Sequence, residues 1–316
     1  MKIALIIIAV VAANLLLFIL SYYICNENLF RRFFGRAETD IEKRALRDTH
    51  YTPVREKMLA VTERLSAMEK TEVSITARDG VKLCADFYDR GSDTTIIFFH
   101  GFHGIPAHNF GVMIEFFINR GYDALVVDER AHYRSGGKLF SYGYHEQYDV
   151  LDWIEFAASY ERTVNVFLYG SSAGAAAVGL SSDKIENEKV RGAVSDCGFV
   201  STLELVNNIC KNKRLPGFIF IDYFRKNAKR RMGLDMENAK VTDSLRNARV
   251  PFLFVHGSKD DIAPPLGTKE LYDSCGSEKE IYFVEGAGHT TATVFGGEDV
   301  SEKILNFTKK YSKEKQ

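Results

Sequence analysis

Val164-Asn165-Val166-Phe167-Leu168-Tyr169-Gly170-Ser171-Ser172-Ala173-Gly174-Ala175-Ala176-Ala177-Val178-Gly179-Leu180 is the stretch whose reading decides the fold. It begins as a short apolar run of the kind buried in a sheet and ends as a small-residue helix start. Between them stands Gly-x-Ser-x-Gly. Glycines in that setting permit a sharp strand-to-helix turn, which presents the Ser172 hydroxyl at the sheet's edge while the helix N-terminus points amides at the same spot. Three fixed positions at about 7% each would recur by chance in roughly one chain in ten of this length. The rest of the chain must therefore carry the assignment.

Working outward, Val73, Ile75 and Ala77 alternate, Asp79-Gly80 supplies a tight turn, and Val81, Leu83, Ala85 and Phe87 alternate again, which predicts an antiparallel hairpin. From Thr94 the pattern changes to short, largely apolar runs: Thr95 to Phe99, Ala124 to Val127, Val164 to Tyr169, Gly192 to Val194, Phe252 to Val255 and Ile281 to Val284. Helical spacings lie between most of them, for example Tyr148, Leu151, Ile154 and Ala158. Strands buried on both faces and alternating with helices predict an α/β protein with a doubly wound, mostly parallel sheet.

Candidate chemistry collects where these strands end. The third strand runs into His100-Gly101-Phe102-His103-Gly104, whose glycines let backbone amides approach a ligand. An oxyanion forming beside Ser172 needs donors, and the amides of Ala173 and Phe102 are the candidates. After the seventh strand comes His256-Gly257-Ser258-Lys259-Asp260-Asp261-Ile262-Ala263-Pro264, and after the eighth Glu285-Gly286-Ala287-Gly288-His289. A serine hydroxyl becomes a nucleophile when an imidazole takes its proton, and that imidazole needs a carboxylate to fix its tautomer. Ser172, Asp260 and His289 supply these groups, each on the loop after a strand. Asp261, and less so Asp196, are the alternative acids. His100, His103 and His108 raise the question of a metal, but the chain has no HExxH, so no metal or other cofactor is expected.

On these residues, from about Thr71 to Tyr311, the chain resembles the α/β-hydrolase fold superfamily, and within it bacterial membrane-anchored serine hydrolases related to monoacylglycerol lipases. Asp128-Glu129-Arg130-Ala131-His132-Tyr133-Arg134-Ser135 is similar to the family's Asp-x-Arg-Gly-His-Gly-x-Ser loop, with Ala131 and Tyr133 in place of its glycines. Ser195-Asp196-Cys197-Gly198-Phe199 resembles the segment after the sixth strand, and His256 to Pro264 resembles His-Gly-x-x-Asp-x-x-Val-Pro, which aligns Asp260 with the family's aspartate. The resemblance implies a catalytic Ser172-Asp260-His289 triad and a helical lid inserted between the sixth and seventh strands.

That insertion, about residues 200–250, contains Leu215 to Phe224, strongly apolar, with Lys211, Lys213 and Arg214 before it and Arg225, Lys226, Lys229, Arg230 and Arg231 after it. Two roles stand open. Phe218, Phe220, Tyr223 and Phe224 either guide an acyl chain from an anionic membrane surface toward Ser172, or simply cap the domain.

At the other end, Ile3 to Ile24 carries no charge and is long enough to cross a bilayer core of about 30 Å. It exceeds the apolar core of a signal peptide and lacks a small-residue cleavage site, so an uncleaved membrane helix is expected. Arg31, Arg32, Arg36, Lys43 and Arg44 follow it against Lys2 before it, which by the positive-inside tendency puts the catalytic domain in the cytoplasm. Val54, Met58, Val61, Leu65 and Met68 mark one face of a helix in the charged connector. The expected organisation is an anchor and basic collar at 1–36, a helical connector at 37–70 and a catalytic domain at 71–316.

The 316 residues carry a formal net charge of -1, which gives no reason to expect a nucleic-acid partner, and five widely spaced cysteines read as reduced thiols. The expected activity is hydrolysis of a carboxylic ester with a hydrophobic acyl group. A thioesterase or peptidase would use the same residues, and a non-catalytic membrane scaffold would keep the fold without the chemistry.

Overall fold

A computed structural model describes residues 2–36 and 51–314. Lys43, Arg44 and the first part of the expected connector lie outside the described residues. Eight strands form one sheet: β1 (Thr71–Thr76), β2 (Lys82–Tyr88), β3 (Thr94–Phe99), β4 (Asp123–Asp128), β5 (Asn165–Ser171), β6 (Val190–Asp196), β7 (Phe252–Gly257) and β8 (Lys279–Val284). Their order is β1-β2-β4-β3-β5-β6-β7-β8. The hairpin expected around Asp79-Gly80 pairs Val73 with Ala85 and Ile75 with Leu83, and β2 runs antiparallel to β4. All later pairings are parallel. Every residue of β3, β4, β5 and β7 is buried, which is why these segments read as continuous apolar runs rather than alternating ones.

The helices, in chain order, are α1 (Lys2–Phe34), α2 (Arg55–Ser66), α3 (Pro106–Ile118), α4 (Glu146–Ala158), α5 (Ala173–Ser181), α6 (Thr202–Asn212), α7 (Gly217–Met232), α8 (Val241–Leu245), α9 (Pro265–Ser274) and α10 (Ala292–Tyr311). The connector face is real: Met58, Val61 and Leu65 of α2 are buried, and the Val61 side chain lies against Gly111 of α3. Helix α4 forms where expected but with its face rotated. Val150, Trp153, Ile154 and Ala157 are buried and Tyr148 is exposed, because Asp149 turns inward to pair with Arg130.

Helix α1 has two unlike halves. Residues 2–24 are exposed throughout, and the helix is long and apolar enough to cross a membrane. Its last turns do the opposite: Phe30 and Phe34 are fully buried in the main core. Phe30 packs edge-on to Tyr223 and Phe224, and Phe33 and Phe34 also meet Phe224. Glu27 accepts two bonds from the Arg231 guanidinium, at 2.9 and 2.6 Å, and one from the Tyr223 hydroxyl at 2.8 Å.

Candidate active site

Ser172 sits between β5 and α5 with φ 53° and ψ -113°, a strained conformation for a side-chain-bearing residue. The turn requires Gly174, where a Cβ would overlap the Phe99 carbonyl of the neighbouring strand. The Ser172 amide donates to the Asp196 carbonyl at 2.8 Å, so the end of β6 fixes the elbow from beside it.

The loops after β7 and β8 meet at this serine. His289 Nε2 lies 2.9 Å from Ser172 Oγ, and His289 Nδ1 lies 2.6 Å from Asp260 Oδ2. The network assigns the Nδ1–H tautomer, donating to Asp260 and leaving Nε2 to accept the serine proton. Asp260 is buried yet saturated: Oδ1 accepts from the Ile262 and Ala263 amides, each at 2.9 Å, and Oδ2 lies 3.0 Å from His256 Nε2. Burial disfavours its anion, but His289 and His256 override that and hold the carboxyl below its usual range. Burial likewise opposes charge on His289, and Asp260 overrides it, raising the imidazole well above its ordinary value.

The alternative acids are placed differently. Asp261 is exposed, and its carbonyl takes a bond from Asn212. Asp196 is buried, bonded through Oδ2 to the Tyr169 hydroxyl at 3.2 Å, and pushed up to about 6 by burial. His256, part of the quoted motif but given no task by sequence, holds Asp260 and is itself fixed by Thr268 Oγ1 at 2.5 Å. Its position four residues before Asp260 in the His-Gly-x-x-Asp pattern was the available signal.

These contacts give a pH test. With His289 as base, kcat/KM should rise with pH through a limb whose midpoint lies above histidine's ordinary value of about 6.5. Asp260→Asn removes the anion that raises it, so the midpoint should move to lower pH while plateau kcat falls by roughly 10³- to 10⁴-fold. Asp261→Asn should leave both near the parent. A larger loss in Asp261→Asn, measured across pH 5 to 9, would transfer the acid role.

The glycine-rich loop after β3 passes directly alongside Ser172. A Cβ on Gly101 would stand 3.0 Å from Ser172 Cβ and 3.5 Å from Oγ. Gly101 to Gly104 close a turn through a Gly104 N–H to Gly101 carbonyl bond of 2.9 Å, with His103 at φ 53°. The Phe102 amide, inside that turn, has no acceptor among the described residues, and the Ala173 amide, first in α5, has no intrahelical one. Neutral histidines brace the loop. His100 donates from Nδ1 to the Gly101 carbonyl at 2.7 Å and accepts the Glu129 amide at Nε2. His132 donates from Nδ1 to the Arg130 carbonyl and accepts the His103 amide at Nε2, both at 2.9 Å. Burial lowers His100 to about 4, and burial together with His100 lowers His132 well below its usual range, so both remain acceptors at neutral pH. Cys197, Asp260 and His289 offer potential metal donors within 4.8 Å of one another, but the imidazole nitrogens already face Ser172 and Asp260.

Tyr223 and Phe224 of the insertion, for which guiding an acyl chain and capping the domain both stand open, pack against the end of α1. Phe220 and Phe224 are buried, Phe224 against Phe30, Phe33 and Phe34, and Tyr223 bonds Glu27. The apolar partner of α7 is therefore the end of α1, within the segment expected as the basic collar. Phe218 alone of the four projects outward, 86% exposed.

The strand order, the elbow between β5 and α5, and the loops that converge on it define an α/β-hydrolase fold. A family model described as serine aminopeptidase, S33, matches residues 228–293. The Bacillus subtilis (strain 168) protein YqkD is 27% identical over 238 residues, 72% of this chain and 76% of YqkD. The Arabidopsis thaliana α/β hydrolase domain-containing protein WAV2 is 24% identical over 257 residues, 78% of this chain and 80% of its own length. The solved structure of the Pyrococcus furiosus esterase Pf2001 superposes with a TM-score of 0.66 at 24% identity, covering 79% of this chain and 94% of the esterase.

Proposed function

We propose that this chain is a serine hydrolase that cleaves carboxylic esters with a hydrophobic acyl group, held at a membrane by its N-terminal helix. The observation that carries the reading is the continuous path from Ser172 Oγ through His289 to Asp260, at 2.9 and 2.6 Å, beside a loop with an unspent amide. Ser172 Oγ attacks the ester carbonyl carbon as His289 Nε2 takes its proton, and the Phe102 and Ala173 amides receive the negative charge on the carbonyl oxygen. The proton then passes from Nε2 to the departing alkoxide, leaving an acyl-Ser172. Water, deprotonated by the same nitrogen, adds to the acyl carbon, and as the bond to Ser172 Oγ breaks Nε2 returns the proton to Oγ and the acid leaves, Asp260 staying ionised throughout.

An apolar acyl group fits the surroundings of the loop. Phe102 stacks on Phe140 at 5.6 Å and lies 5.0 Å from Tyr142, and Tyr142 continues to Phe34. The likeness to the Pyrococcus furiosus esterase Pf2001 points the same way. Amide hydrolysis is the second reading, favoured by the aminopeptidase description of the matching family model.

The membrane reading rests on the exposed, charge-free run up to Ile24 and on its continuity, within one helix, with the buried Phe30 and Phe34. A helix so tied to the core is suited to retention rather than cleavage, and the arginines after the run favour a cytoplasmic catalytic domain. The Tyr22 hydroxyl donates to the Ile219 carbonyl at 2.7 Å, which sets exposed Phe218 at the depth where the span ends. Phe218, with exposed Lys211, Lys213 and Arg214, is suited to contact the adjacent leaflet.

The test is hydrolysis by the full chain in detergent of p-nitrophenyl esters from acetate to laurate, beside aminoacyl p-nitroanilides. Ester kcat/KM should rise with chain length, by up to about 0.8 kcal/mol of transition-state binding per buried methylene. Faster anilide than ester turnover would replace ester with amide chemistry, and a flat series would remove the hydrophobic acyl preference.

A further inference from the structure

The loop from Asp128 to Gly137 holds side-chain-bearing residues where its relatives in motif have glycine. Ala131 and Tyr133 nevertheless keep positive φ, 58° and 38°. L side chains hold such backbone only when their surroundings impose it. One source of that constraint is the segment leaving α1. The Arg36 guanidinium donates to the Tyr133 carbonyl at 2.6 Å, to the Ser135 carbonyl at 2.8 Å and to the Gly137 carbonyl at 3.2 Å. Its own amide donates to the Lys138 carbonyl at 3.0 Å, and the Phe140 amide donates back to the Phe34 carbonyl at 2.8 Å. A planar fork with five donors suits three carbonyls converging on one point, as an ammonium does not.

What Arg36 holds reaches the glycine-rich loop beside Ser172 at two places. His132, between the two strained residues, accepts the His103 amide at 2.9 Å, and the Tyr133 hydroxyl donates to the Gly104 carbonyl at 3.0 Å. Those contacts fix the second half of the turn whose first half presents the Phe102 amide beside Ser172. We propose that Arg36 is a positioning residue for this loop, so that the chain emerging from the apolar helix sets the donor geometry at Ser172. The catalytic part of this proposal rests on the ester-hydrolase reading; the structural part does not.

Two measurements on the full chain in detergent separate the parts. The first is amide hydrogen exchange of the peptide covering residues 100–105, which needs no substrate. Arg36→Ala should exchange roughly tenfold faster there, and Arg36→Lys should fall between. Unchanged exchange overturns the proposal whether or not any ester is hydrolysed. The second is kcat per active site titrated with a fluorophosphonate. Arg36→Ala should lose roughly 10- to 100-fold in kcat with KM within about twofold, since a small misplacement of a transition-state donor acts on the chemical step. Tyr133→Phe should lose less, and the double variant should fall short of the product of the two losses, because both act through one loop. Additive losses, or a loss that vanishes once sites are titrated, would reduce Arg36 to general support of the fold and overturn the proposal.

Discussion

Ser172→Ala should lower ester hydrolysis by roughly 10⁴- to 10⁶-fold while the thermal midpoint stays near that of the parent, and His289→Ala should lose a similar amount. The size follows from how the two act. Without Oγ there is no acyl-enzyme, and without His289 the hydroxyl has no acceptor for its proton at 2.9 Å, so either deletion removes the same path. The double variant should therefore be little worse than either single one. What survives is whatever the Phe102 and Ala173 amides give to a water attack. The measurement is initial rate on a short ester, with fluorophosphonate labelling as a second readout. A Ser172→Ala protein that hydrolyses as fast as the parent ends the mechanism, and labelling that persists in it would show a different nucleophile.

The parts of this site that sequence conveys are those set by local chain geometry. The elbow is legible because a strand-to-helix turn with so little room demands Gly174 next to Ala173, and the sheet is legible because strands covered on both faces must be apolar throughout. Contacts between distant segments leave fainter marks. Asp260 and Asp261 are adjacent in sequence and equal in chemistry; their difference lies in the Ile262 and Ala263 amides that fold back onto one of them. Helix α4 shows the same limit, since Tyr148 lies outside and Asp149 inside for the sake of Arg130, a residue on another loop. His132 and Arg36 were visible as residues, but their work appears only when three loops are brought together.

The aromatics of the insertion carry that point to the second large effect, which concerns where the chain can be cut. An apolar N-terminal helix invites removal up to the basic collar, yet Phe30 and Phe34 are fully buried, and Glu27 is bound to Arg231 and Tyr223. A chain beginning at Arg36 loses all of these and exposes Phe224 and Tyr142. Truncating one buried phenylalanine to alanine costs about 3 to 5 kcal/mol. Losing two approaches the whole stability of an ordinary domain, about 5 to 15 kcal/mol. A chain beginning at Asn26 keeps the seat and gives up the exposed apolar run, whose ties to the domain include the Tyr22 bond to Ile219 and the ring of Tyr23 against Tyr223. The chain from Asn26 should therefore be soluble without detergent, melt cooperatively and keep most activity on short esters, whereas the chain from Arg36 should aggregate or melt without a sharp transition. Phe34→Ala in the full chain isolates the packing contribution and should lower unfolding free energy by about 3 to 5 kcal/mol in denaturant titration. Equal stability of the two shortened chains, or a Phe34→Ala midpoint unchanged from the parent, would mean that the helix end rests on the domain without supporting it.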